Sequence, residues 1–67
     1  MRFWRVVEKR LDGRPWSWLA KQAGIDLTAL YSARGHEAPS LKTMGTIAAG
    51  LGVPLAELIT EMEEENG

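Results

Sequence analysis

The chain has 67 residues, no cysteine, a single histidine and a formal net charge of −1; this leaves room for one small domain and excludes disulfides, thiolate metal sites and a metal centre built from histidine alone. A chain this short buries only about 60% of the surface its unfolded form exposes, so its stability rests on close helix packing or on a partner. No apolar run approaches the roughly 18 residues of a membrane span and no signal-peptide pattern stands at the N-terminus. The expected address is cytoplasmic, with no membrane partner.

Phe3, Trp4, Val7 and Leu11 recur at helical spacing, with Val6 beside them, and predict a first helix over about residues 2 to 11. Asp12-Gly13 stops it, and Arg14-Pro15 launches a second helix over about 15 to 23, because proline is favoured in a first helical turn. That helix carries Leu19, Ala20 and Ala23 on one face, and Gly24 supplies the left-handed residue that ends it. Ile25 can fill the corner. Asp26 is expected to cap the next helix, about 26 to 34, by accepting its first free N–H groups.

Arg34 to Pro39 has no periodicity and reads as a loop. Ser40 is a good N-cap for a fourth helix, whose stripe of Leu41, Met44, Ile47, Ala48 and Leu51 runs to about residue 51. Gly45 and Gly50 inside it each cost up to about 1 kcal/mol relative to alanine, which predicts close helix contact at both points. Gly52 caps that helix, and Pro54 starts a fifth with Leu55, Leu58, Ile59 and Met62 on one face. Acids crowd its C-terminal end, where the macrodipole disfavours them, so fraying is expected from about residue 62. No stretch reads as a strand. The fold class expected is all-α, a compact five-helix bundle forming a single domain over residues 1–67.

The charge is unevenly distributed. Residues 1–54 hold all eight basic side chains against four acids, a net +4, whereas residues 55–67 hold five acids and no base, a net −5. A basic body with an acidic tail can meet phosphate on one side provided the tail points away.

Two short helices joined at a tight glycine turn follow the plan of a helix-turn-helix. The run Leu19-Ala20, Gly24-Ile25, Leu30, Pro39-Ser40-Leu41, Ile47-Ala48, Leu51-Gly52-Val53 and Leu58 resembles the Cro/repressor helix-turn-helix family of phage and bacterial transcriptional regulators, over roughly residues 14–60. The resemblance implies a lambda repressor-like DNA-binding domain that binds double-stranded operator DNA, usually as a homodimer. It places the family's base-contacting positions on Leu27, Thr28 and Ser32, with Tyr31 adjacent. With Leu30 and Ala33 turned inward, these residues lie on the outer side of helix 3. Thr28 and Ser32 can donate or accept hydrogen bonds; Leu27 and the Thr28 methyl can pack on thymine methyls.

A second layer would hold phosphate. Arg14, Trp16 and Ser17 flank the start of helix 2, Ser40, Lys42 and Thr43 the start of helix 4, and Arg34 the loop between helices 3 and 4. Trp16 stands where many members of the family carry glutamine; its indole N–H can donate to phosphate but cannot also brace a neighbour as an amide can. Trp18 occupies a place the family usually gives to a polar group, and is read either as a roof over the core or as an anchor for a partner. Leu55 and Leu58 are expected to close the core, and Ile59 and Met62 to serve a dimer seam.

His36 reads as a solvated loop residue that can touch phosphate when protonated. Glu57 and Glu61 form an i,i+4 pair on which no serine, lysine or histidine converges, so the sequence offers no catalytic constellation, cofactor or small-molecule substrate. The leading expectation is a repressor that inserts helix 3 in the major groove. The alternatives are an antitoxin that represses its own operon and grips a toxin, and a helical interaction module without DNA binding.

Overall fold

Phe3, Val6, Val7 and Leu11 are all buried, and they make the first helix, α1 (Phe3–Leu11), the floor of the core. The computed structural model of the chain describes residues 3–36 and 39–66, so Arg2 and Glu37 of the charge count lie outside the described residues. The chain leaves α1 through two left-handed residues, Asp12 at φ 52° and Gly13 at φ 86°. Aspartate tolerates this region better than most side chains do. Arg14 then turns back: its Nε donates to the carbonyl of Leu11 at 2.8 Å and its Nη2 to that of Arg10 at 3.3 Å, so a cation serves the carbonyls that the helix end leaves free.

The second helix, α2 (Trp16–Ala23), starts after Pro15, whose extended backbone occupies the capping position. It ends at Gly24 with φ 72°, and the Ile25 N–H donates to Ala20 O at 3.0 Å, the six-to-one bond of a glycine-terminated helix. This bond sets the corner before α3 (Leu27–Arg34). Asp26 holds the N-cap position by its backbone alone: its side chain makes no capping bond, contrary to the sequence expectation, and is left exposed. The end of α3 tightens, with Gly35 N donating to Ser32 O and His36 N to Ala33 O, both at 3.1 Å.

The fourth helix, α4 (Leu41–Leu51), is capped as expected: the Thr43 N–H donates to Ser40 Oγ at 3.2 Å. Met44, Ile47 and Ala48 are buried, but Leu41 is 69% exposed, because the first turn of α4 projects past the core layer that begins at Met44. The two interior glycines differ. A Cβ on Gly50 would lie 2.9 Å from the Cβ of Ala23, so α2 and α4 approach at that point with no room for a methyl group. Nothing lies within 4 Å of a Cβ on Gly45, so the expected contact there is absent.

The fifth helix, α5 (Leu55–Asn66), lies against α1 and α4. It continues to Asn66, where charge alone predicted fraying from about residue 62. Met62 is buried at 4% exposure and Glu65 is paired with bases of α1. The result is an all-helical bundle of five helices, with no strand among the described residues. Its Cα radius of gyration, 10.9 Å, matches the roughly 11 Å of a packed domain of this length.

Candidate nucleic-acid interface

Only Leu30 of α3 is fully buried, which leaves the helix with a long outward side. Thr28, Tyr31 and Ser32 are exposed on it, Tyr31 at 51%. Leu27 departs from the sequence expectation: it is half-buried and packs against the core, so less of its side chain is open to a ligand. The start of α3 tucks in here because Leu27 follows Ile25, which packs against the same core from the corner. Ala29, which sequence reasoning passed over, is exposed and lines an open groove of about 330 Å³ with Ile25, Ala33, Lys42, Thr43 and Thr46. Small side chains on facing turns of α3 and α4 were the available signal for that groove.

The C-terminal end of α3 is held by aromatic rings. The guanidinium of Arg34 lies 4.0 Å above the Trp16 ring and 5.9 Å from that of Tyr31, a cation–π arrangement. Trp16 in turn meets Trp4 edge-on with centroids 6.1 Å apart, and Trp4 meets the buried Phe3 at 5.1 Å. The Trp4 Nε1–H donates to the carbonyl of His36 at 2.9 Å. Local spacing gives Trp4 only a place in a core stripe, since its partners lie in α2 and beyond α3 and share no such spacing with it.

The remaining candidate phosphate contacts divide into free and engaged groups. Ser17 and Lys42 are exposed. Ser40 and Thr43 are tied to each other, with Ser40 Oγ donating to Thr43 Oγ1 at 3.0 Å in addition to the cap bond. Arg14 is committed to the end of α1, and its guanidinium also covers the Trp18 ring at 3.9 Å. Trp18 is half-buried against the core beneath it, so it serves as a roof and not as a bare anchor. Ile59 is half-buried, whereas Met62 is buried within the chain and is unavailable for the seam expected of it. The face that period-3.6 spacing gave to Met62 is taken up by α5 lying against the core.

The acids of α5 are drawn to α1. Arg5 Nε lies 3.5 Å from Glu65, which Lys9 also contacts, and Arg10 is paired with Glu61 and, at 3.5 Å, with Glu57. Glu61 raises the Arg10 guanidinium above its ordinary range, first by its hydrogen bond; desolvation opposes this, and the charges of Glu61 and Glu57 add to it. From Leu27 to His36 the sequence contains no acid. Among the described residues no group of three or more histidines or carboxylates is placed to hold a metal ion, and no single helix is long and apolar enough to cross a membrane. No family model matches the chain at a significant level, nor does any curated protein or solved structure.

Proposed function

We propose that this chain is a sequence-specific double-stranded DNA-binding regulator of the Cro/repressor kind, acting as a cytoplasmic repressor in which α2 and α3 form the helix-turn-helix and α3 enters the major groove. One observation carries the reading: the outward side of α3 offers Thr28, Tyr31 and Ser32 beside a ring-held Arg34, while Glu57, Glu61 and Glu65 are engaged by α1. Hydroxyls and a phenol can read base edges, and a planar guanidinium suits phosphate. In this reading Lys42 and Ser17 supply further phosphate contacts, and a homodimer places two copies of α3 about one DNA turn apart. Ile59, half-buried on α5, is assigned to the seam.

The test is duplex binding as a function of salt. Binding weakens steeply as salt rises because counterions are released, and Arg34→Ala and Lys42→Ala each flatten the log–log slope by about 1. A chain that binds no duplex at low salt, or a slope that neither variant changes, contradicts the reading and favours a protein-interaction module.

A further inference from the structure

His36, just beyond α3, is gripped from α1. Trp4 Nε1–H holds the carbonyl of His36 at 2.9 Å across a sequence separation of 32, and the Trp4 ring braces Trp16 at 6.1 Å with the planes inclined by 68°. Trp16 lies under the guanidinium of Arg34. One indole therefore fixes both neighbours of Gly35, Arg34 through Trp16 and His36 directly. Phe3, fully buried, backs Trp4 at 5.1 Å and ties this column of rings to the core. A stacked guanidinium has a face engaged and its in-plane N–H donors clear. Arg34 makes no hydrogen bond or ion pair among the described residues, which leaves those donors uncommitted there.

We propose that Trp4 is a positioning residue for phosphate binding by Arg34, setting the pose of that side chain from outside the α2–α3 pair. The inference rests on the DNA-binding reading above. An arginine free to sample rotamers loses that freedom each time it binds, whereas one already held loses less, so affinity rises without any contact between Trp4 and the nucleic acid.

The probe is a labelled duplex of mixed sequence, titrated with the full chain at several salt concentrations. Trp4→Phe keeps an aromatic ring and removes the N–H donor. It should weaken duplex binding by about threefold to tenfold, and should cause no further loss when combined with Arg34→Ala. Without DNA, the Arg34 side-chain proton resonances should be shifted by the Trp16 ring current in the wild type and released in Trp4→Phe. Equal losses in both backgrounds, or Arg34 resonances that stay in place, overturn the proposal. A wild type that shows the ring-current shift yet binds no duplex overturns the DNA-binding reading and the positioning role with it, and the spectrum keeps that failure distinct from a failure of the stack. Trp4→Tyr carries the same cycle if Trp4→Phe does not fold.

Discussion

The guanidinium of Arg34, at the last turn of α3, rests 4.0 Å above the ring of Trp16, the first residue of α2. The two ends of the α2–α3 pair are thereby closed on each other, on the side opposite in sequence to the Gly24 corner. Exposed cation–π pairs contribute about 0.5–1 kcal/mol, so Arg34→Ala should lower the unfolding free energy by about that amount in urea denaturation. Arg34→Lys should recover part of it at most, since an ammonium lacks the planar stack.

Gly50 and Gly45 should respond to alanine in opposite directions. At Gly50 the added methyl group meets the Ala23 Cβ at 2.9 Å and the Ala23 backbone at 3.0 Å, and overpacking of this kind costs about 1–3 kcal/mol. At Gly45 the space is open and the backbone is helical, so alanine should stabilise by about 0.5–1 kcal/mol through its better helix propensity. Thermal melts of the two variants check the pair, and a stabilised Gly50→Ala would show that α2 and α4 are less closely apposed than described.

Burial separates Met62 from Ile59. Met62→Ala removes a core side chain and should cost about 2–5 kcal/mol while leaving any self-association constant unchanged once the variant is folded. Ile59→Glu should shift a dimer towards monomer in sedimentation. A monomer mass for the wild type at every concentration would remove the seam from the account.

Arg10 links α1 to two acids of α5. Arg10→Ala should lower the melting temperature at low salt, with the difference shrinking near 1 M salt, where the screening length is about 3 Å. The pH dependence has a defined sign. Because Arg10 is raised above its ordinary value, its contribution is fully present below the unfolded pKa and is lost only as pH climbs through the higher folded value, in strong alkali. Across the neutral range, the melting difference between wild type and Arg10→Ala should therefore show no titration of Arg10.

Local spacing accounts for what was legible in the sequence. Leu19, Ala20, Gly24, Leu30, Ile47 and Leu58 are placed by period 3.6 and by a glycine that can turn left-handed, and each holds its expected place. Features that join distant parts of the chain were not legible: Arg10 and Glu61 are 51 positions apart, Lys9 and Glu65 are 56 apart, and Trp4 reaches His36 across 32. An apolar stripe shows which face of a helix turns inward but not how far along its length the core extends, which is why Leu41 was placed inside and Met62 at a seam. Similarly, a base near a helix start reads as a phosphate ligand until the free carbonyls of Leu11 and Arg10 claim Arg14.

Selection of binding sequences from a random duplex pool, followed by salt titration of the winner, decides whether α3 reads DNA sequence. A dimeric repressor of this kind should enrich a site of two related half-sites about one helical turn apart, bound with a steep salt dependence. Thr28→Ala and Ser32→Ala should relax sequence preference while leaving nonspecific affinity nearly intact. A pool that yields no enriched sequence, with no duplex binding at low salt, would contradict sequence readout by α3.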